Sequence, residues 1–275
     1  MPRFATVHGE RPVGRDSRWC RGLTAPAWSS PKAPVRRVRL GDRVYAYEFG
    51  NRQGGFYAEF AVVDAEHVAR VPKRLDLRDA GAVAATGLTA LQGINALDLR
   101  PGQTVLIFGA LGAVGTMAVQ FAAQRGAHVI ATASGAAPAR LVRKLGAHRV
   151  IDARRTESIL QLRTFAPDGL DAVFALAGGD ELERCLDFMR PRGRVVHPNG
   201  IEPVPMERRT FRVRTFDAVG SPREFDKLNR HLANGKVRVP IAASYPLRKA
   251  AQAHRRLDRA HLLGRMILQV RRDRQ

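Results

Sequence analysis

The sequence predicts an α/β protein built on a doubly wound parallel sheet, and three observations support this. From residue 104 onward, β-rich and helical segments alternate at short intervals, which is typical of strand–helix–strand units with helices on both faces of a sheet. The first β-rich segment, TVLIF, is β-branched and aromatic, as expected of a strand buried on both faces. Gly109, Gly112 and Gly115 follow it, where the apolar period changes from that of a strand to that of a helix.

The remaining elements follow from local pattern. Residues 1–38 show neither period and are rich in Pro, Arg and Gly, so we expect a disordered basic arm. Two β-rich runs flank the turn NRQGG, the second spanning residues 56–72, and an Ala-rich helix is expected to begin at Asp79. Later strands are predicted at 104–109, 128–133, 148–152, 171–177, 193–197, 211–219 and 264–270. Later helices are predicted at 113–125, 136–146, 156–165, 180–190, 222–234 and 248–261.

Composition and charge exclude several classes of protein. The formal net charge is +21, but residues 1–40 and 247–275 each contribute +7, and 40 of the 46 basic residues are Arg. With the excess at the ends and no recognisable nucleic-acid motif, we do not expect nucleic-acid binding to be the primary role. Two cysteines provide neither a disulfide framework nor a four-thiolate zinc site, and a cytoplasmic location is expected.

The uncharged stretch 104–124 has the length of a membrane span, yet its details favour a strand–turn–helix unit. Its glycines weaken a continuous helix, whereas Val114, Met117 and Phe121 form an apolar stripe only from residue 113 onward. In a doubly wound sheet, such a turn admits a diphosphate to the amino end of the following helix. We therefore expect a dinucleotide site here and no membrane segment.

The second predicted strand of this unit indicates which dinucleotide is bound. NAD sites usually carry an acidic residue about 20 positions beyond the glycines. Here no Asp or Glu occurs between Gly126 and Val150, and Ser134 stands at the expected place with Arg140 following. The absent carboxylate removes repulsion toward a 2′-phosphate, which arginine can pair with, so the sequence favours NADP(H). The alternative is that Arg140 and the basic residues after it only solvate the outer face of a helix.

Several motifs in this order resemble the zinc-independent quinone oxidoreductase branch of the medium-chain dehydrogenase/reductase superfamily. They are GDRVYAY, GGFYAEFAVV, TGLTALQGI, VLIFGALGAVGTMAVQFA, KLGAHRVID, GRVV and GRMILQV. The resemblance covers about residues 41–270 and implies a Rossmann domain beside a GroES-like β-barrel. It also implies metal-free hydride transfer from NADPH to a small-molecule quinone or α,β-unsaturated carbonyl (enone).

The resemblance divides the chain and assigns residues to the cofactor. Residues 39–78 would be a remnant of the GroES-like catalytic domain, 79–220 the Rossmann domain, and 221–275 helices and a strand returning to the catalytic domain. Family members often have Lys where this chain has Pro138, so Arg140 would take its place beside Ser134. No catalytic residue or metal ligand is assigned. The residues implied to bind the cofactor are Gly109, Gly112, Ala113, Val114, Gly115, Ser134, Arg140, Ala177, Gly178, Asn199, Gly200 and Thr89.

The resemblance also implies a homodimer formed through the outermost Rossmann strand, here 211–219. The opening strands of the family's barrel are not recognisable before GDRV. The alternative hypothesis is therefore a nucleotide-binding remnant that lacks catalysis because the substrate-side half is missing.

Overall fold

The computed structural model describes residues 4–6, 38–39, 41–49, 55–259 and 262–270. The strands are β1 (Phe4–Thr6), β2 (Val44–Ala46), β3 (Val68–Arg70), β4 (Thr104–Phe108), β5 (His128–Thr132), β6 (Arg149–Ile151), β7 (Leu170–Ala175), β8 (Met189–Pro198), β9 (Arg212–Phe216), β10 (Ile241–Pro246) and β11 (Arg265–Gln269). The helices are α1 (Leu77–Ala96), α2 (Ala113–Gln124), α3 (Ala136–Lys144), α4 (Ser158–Phe165), α5 (Asp180–Leu186), α6 (Pro222–Ala233) and α7 (Ala250–Arg259).

The main sheet has six strands in the order β6-β5-β4-β7-β8-β9, and every neighbouring pair is parallel. Within this sheet the chain first forms the central strand β4 and then β5 and β6 on one side of it. It then returns to form β7, β8 and β9 on the other side. The strand order therefore reverses beside β4, which is the switch point of a doubly wound sheet. This confirms the α/β Rossmann-type fold predicted from the sequence.

Side chains of β4 alternate between two hydrophobic cores. Val105 and Ile107 belong to the core beneath α1, α2, α3 and α6, whereas Leu106 and Phe108 belong to the core beneath α4 and α5. Successive residues of a strand point to opposite faces, so a run without polar residues is required where both faces are covered. The pattern of TVLIF thus follows from its position at the centre of the sheet.

Helix α1 begins two residues before the predicted start at Asp79. The Asp76 carboxylate accepts a hydrogen bond from the Asp79 backbone N–H at 2.6 Å, which is a normal helix amino-terminal cap. Helix α1 packs with α2 and α6 in the same core, which contains Leu91 and Leu228.

Two smaller sheets lie outside the main sheet. Strands β2 and β3 form an antiparallel pair, while β11 pairs with β10 in parallel and with β1 in antiparallel orientation. Thus residues 4–6 form a strand within the segment expected to be a disordered arm; residues 7–37 lie outside the described residues.

Several predicted boundaries differ from the structure. In the described segment 55–64, expected to contain strand, no strand forms, and β3 begins only after a short 3-10 helix. Helix α5 ends at Leu186 rather than at 190, because β8 begins at Met189, which pairs with Leu170 across a register irregularity. Strand β10 was not predicted, since the sequence IAASYP is short and small-residue-rich, and only its pairing with β11 makes it a strand.

Candidate functional site

A cleft of about 760 Å³ opens at the carboxyl ends of β4, β5, β6 and β7. In open α/β sheets, ligands bind at this edge beside the switch point. The residues that line the cleft are Phe108, Gly109, Leu111, Gly112, Ala113, Thr132, Ala133, Ser134, Pro138, Asp152, Ala153, Arg154, Ala177, Gly178, Glu181, Leu257, Leu262, Leu263, Gly264, Arg265 and Met266.

The glycine turn forms the floor of the cleft. Gly109 has a φ of +82°, which favours glycine, and its N–H donates to the Thr132 hydroxyl at 2.9 Å. Gly112 is the residue before α2, and among the described residues no side chain caps this helix and none in its first turn is acidic. The amino end of α2 therefore presents backbone N–H groups and a positive dipole end to the cleft. This arrangement fits a diphosphate.

The predicted glycine-turn residues have two different roles. Gly109, Gly112 and Ala113 line the cleft. Gly115 is buried, and a Cβ there would lie 2.3 Å from the Gly109 carbonyl oxygen, so it lets the helix pack against the turn. Val114 packs against the hydrophobic core beneath α2. Gly115 and Val114 thus support the packing of the turn and are not among the residues that line the cleft.

The opposite wall comes from the C-terminal part of the chain, which sequence reasoning missed. The Gly264 N–H donates to the Leu111 carbonyl at 3.0 Å, and Gly264 forms a parallel bridge with Gly112. Leu257, Leu262 and Met266 add apolar surface, and Arg265 is 8% exposed. The motif GRMILQV indicated a closing strand, but nothing in it showed that its first residues meet the glycine turn.

The far end of the cleft lies between β5 and β6. The Ser134 hydroxyl donates to Asp152 Oδ1 at 2.6 Å, so the structure brings a carboxylate to the place where the sequence has none after β5. Sequence reasoning missed Asp152 because it follows the next strand, β6. Arg154 also lines the cleft. Arg140 is exposed on α3, and Pro138 is the α3 residue that lines the cleft.

At the β7 end, the structure supports some predicted positions and separates others. Ala177 and Gly178 line the cleft, and a Cβ on Gly178 would lie 1.9 Å from the Pro203 carbonyl oxygen. Asn199 and Gly200 are exposed beyond β8, where the Asn199 side-chain oxygen accepts from the Gly200 N–H at 3.1 Å. The Thr89 hydroxyl donates within α1 to the Ala85 carbonyl at 2.9 Å. Asn199, Gly200 and Thr89 therefore lie outside the set of cleft-lining residues.

The tyrosines near the smaller sheets have protein partners. The Tyr45 hydroxyl donates to the Asn229 side-chain oxygen at 2.8 Å, and burial raises the pKa of Tyr45. The Tyr57 hydroxyl lies 3.0 Å from His254 Nε2, and burial raises the pKa of Tyr57 to about 12, against the opposing effect of the Arg265 charge. These hydroxyls are neutral at physiological pH.

The described part of the chain has neither a cluster of metal ligands nor a helix suited to crossing a membrane. It contains no group of three or more His, Cys, Asp or Glu side chains placed to hold a metal ion. None of its helices combines the length and apolar character needed to cross a bilayer.

Comparison with known proteins identifies the family. The family described as zinc-binding dehydrogenase matches residues 145–268. The quinone oxidoreductase of Pseudomonas aeruginosa is 31% identical over 252 residues, covering 85% of this chain and 76% of that protein. The chain belongs to the quinone oxidoreductase-like proteins of the medium-chain dehydrogenase/reductase superfamily.

Other relatives show the breadth of the family and the extent of the match. Alcohol dehydrogenase 1 of Neurospora crassa is 30% identical over 224 residues, covering 78% of this chain and 63% of that protein. The structure of Escherichia coli quinone oxidoreductase complexed with NADPH aligns with a TM-score of 0.76 at 25% identity, covering 85% of this chain and 77% of that one. The chain thus spans between about 63% and 77% of the length of these relatives. These matches support an oxidoreductase that uses a nicotinamide cofactor.

Proposed function

We propose that this chain binds a reduced nicotinamide dinucleotide and passes a hydride to a quinone or an α,β-unsaturated carbonyl compound without a metal. The observation that carries the proposal is the amino end of α2. It has no side-chain cap, and Gly112 and Ala113 at this end line the cleft at the switch point of the sheet. The bound nicotinamide supplies the hydride, and the protein supplies binding, orientation and exclusion of water.

The residues of the cleft fit these tasks. The backbone N–H groups at the start of α2 would hold the diphosphate, as helix amino ends do in Rossmann folds. Ala177, which follows β7, has a small side chain that leaves room for the nicotinamide ring, and Gly178 lets the Pro203 backbone pack against this end of the cleft. The leucines of the opposite wall would shield one side of the cofactor from water.

A second candidate function is dinucleotide binding without turnover. Ala177 is exposed at the proposed nicotinamide end, and the described residues expected to belong to the barrel form only two small sheets, β2–β3 and the sheet that contains β11. An active site open to water stabilises a transition state less well, because water weakens every electrostatic interaction inside it. Binding is expected to tolerate this better than hydride transfer.

One experiment separates these candidates. Purified protein is titrated calorimetrically with NADH and NADPH, and absorbance at the nicotinamide band is then followed with a panel of quinones and enones, with and without a chelator. Enone- or quinone-dependent oxidation that survives chelation supports the first proposal. Binding without oxidation supports the second, and absence of binding contradicts both.

We also propose that the chain forms a homodimer through the edge strand β9. The Phe216 carbonyl accepts from the Asn199 N–H next to β8, so the backbone groups of Val213 and Thr215 point away from the sheet. An unpaired edge of this kind can pair with a second copy.

The dimer is tested by light scattering with size-exclusion chromatography. Thr215→Pro removes an outward N–H and is expected to give monomers, whereas Thr215→Val keeps the N–H and is expected to remain dimeric. A monomeric wild-type protein, or a dimeric Thr215→Pro variant, would contradict pairing through β9.

A further inference from the structure

We propose that Asp152 makes the ribose end of the cleft selective for NAD(H) over NADP(H). This rests on the proposed function, because it assumes that the cleft holds a nicotinamide dinucleotide. The sequence favours NADP(H) because no acidic residue follows β5 and basic residues do, but Asp152 supplies a carboxylate from the adjacent strand.

The sheet topology places Asp152 beside Ser134. Strands β5 and β6 are parallel neighbours with Thr132 opposite Ile151, and the Ala133 N–H donates to the Ile151 carbonyl at 2.9 Å. Asp152 is the residue after β6, so its side chain meets the chain leaving β5. The result is the 2.6 Å hydrogen bond from Ser134 to Asp152 Oδ1, with both residues in the cleft wall.

The Asp152 carboxylate is only weakly paired with basic groups at this position. Its side chain is 25% exposed, and its nearest basic group, Arg155 Nε, lies 3.9 Å from Oδ2 on a side chain that is 75% exposed. An ion pair of that length on an exposed side chain is weak. The Arg154 backbone N–H, at 3.3 Å from Oδ1, adds a polar contact without net charge.

This charge discriminates between the two cofactors. A ribose 2′-hydroxyl donates a hydrogen bond, which the Asp152 carboxylate accepts. A 2′-phosphate carries nearly two negative charges and only acceptor oxygens, so the same carboxylate repels it. The Ser134 hydroxyl already donates to Asp152, so it can donate to a phosphate only if that 2.6 Å bond breaks. Pro138 has no backbone N–H and cannot donate to a phosphate at all.

The neighbouring arginines act in the opposite direction but from less favourable positions. Arg154 is exposed at the cleft wall, while Arg143 and Arg155 line an adjoining hollow of about 220 Å³ that shares Asp152 with the cleft. Long exposed side chains lose conformational freedom when they bind a phosphate. Asp152 is held in place by Ser134 and needs no rearrangement to exclude one.

The test uses ADP-ribose and 2′-phospho-ADP-ribose as probes, because neither contains a nicotinamide and neither can be turned over. Isothermal titration of the wild-type protein is expected to show ADP-ribose binding at least about tenfold tighter, as expected for like charges in contact. Asp152→Asn keeps the side-chain shape and an acceptor for Ser134, and is expected to remove most of that preference by strengthening binding of the phosphorylated probe. Asp152→Ser provides a second variant without the charge.

Asp168→Asn is the matched control, since Asp168 is a carboxylate 81% exposed that pairs with Arg190 just before β7. It is expected to leave the ratio of the two affinities unchanged. Tighter binding of the phosphorylated probe to wild type, or a ratio unaffected by both Asp152 variants, would overturn the selectivity role while leaving the proposed function standing. If neither probe binds, the proposed function itself fails.

Discussion

The two ends of the cleft are built in different ways. At the glycine turn, Gly109, Gly112 and Gly115 lie within seven residues of one another, and the turn joins β4 directly to α2. At the ribose end, Ser134 and Asp152 are 18 residues apart and meet only because β5 and β6 are paired. The comparison teaches that the proposed diphosphate site is specified locally, whereas the proposed selectivity between dinucleotides depends on sheet pairing.

The largest expected effect tests the local end. Ala113→Asp places a carboxylate in the first turn of α2, where it stabilises the helix by ~0.5 kcal/mol but faces the proposed diphosphate. We expect ADP-ribose affinity to fall at least about a hundredfold, because two like charges meet at a site built for an anion. Calorimetric titration measures the affinity and thermal unfolding confirms the fold.

Leu160→Asp is the matched control for that substitution. Leu160 is 64% exposed in the first turn of α4, which has no acidic residue there, so the same helix-stabilising effect occurs away from the cleft. Its ADP-ribose affinity is expected to equal that of wild type. An unchanged affinity in Ala113→Asp would break the assignment of α2 as the diphosphate site.

A second prediction separates binding from packing within the glycine turn. Gly115→Ala puts a Cβ 2.3 Å from the Gly109 oxygen and is expected to cost roughly 2 kcal/mol of stability, or about 4–8 °C in Tm. Gly112→Ala meets the same oxygen at 3.6 Å, an ordinary contact, with a φ of −66° that alanine adopts readily. It is expected to keep Tm and to lower ADP-ribose affinity about tenfold, because the methyl group stands at the cleft floor. Equal loss of Tm in both variants would contradict this division.

The smallest expected effect concerns the non-local end. Ser134→Ala removes the donor to Asp152, and combining it with Asp152→Ala, which removes the acceptor, forms a double-mutant cycle. A coupling of about 1 kcal/mol in the free energy of unfolding is expected for a partly exposed hydrogen bond to a charged group. Urea unfolding of the four proteins measures it. A coupling near zero would mean that Ser134 does not hold Asp152, which would weaken the proposed selectivity.

The central fold was predictable because its signals are local. The unbroken apolar run of β4 and the helical stripe beginning after Gly112 each follow from burial and period alone. The same reasoning missed β10, whose small residues become a strand only through pairing with β11. It also predicted a β-rich run over residues 56–72, of which only β3 (Val68–Arg70) is strand, and residues 56–63 are irregular despite their β-forming composition.

Part of the candidate cleft could also be predicted from local signals. Gly109, Gly112, Ala113, Ser134, Ala177 and Gly178 were predicted as cofactor residues and line the cleft. Asp152 and Leu262 also line it, but they reach it from later segments, and no spacing rule connects them to the glycine turn. Thr89 and Asn199 were carried over by position; in this chain the Thr89 hydroxyl bonds within α1, and the Asn199 side chain bonds to the Gly200 N–H and to Asp217.

The bridge between Gly264 and Gly112 bears on how the protein is made. During translation the glycine turn is synthesised long before residue 264, so the nascent chain contains the proposed diphosphate site while one wall of the cleft is still missing. In a chain that is still being synthesised, Leu111 therefore lacks its partner Gly264. The cleft is complete only after the Gly264 N–H has bonded to the Leu111 carbonyl.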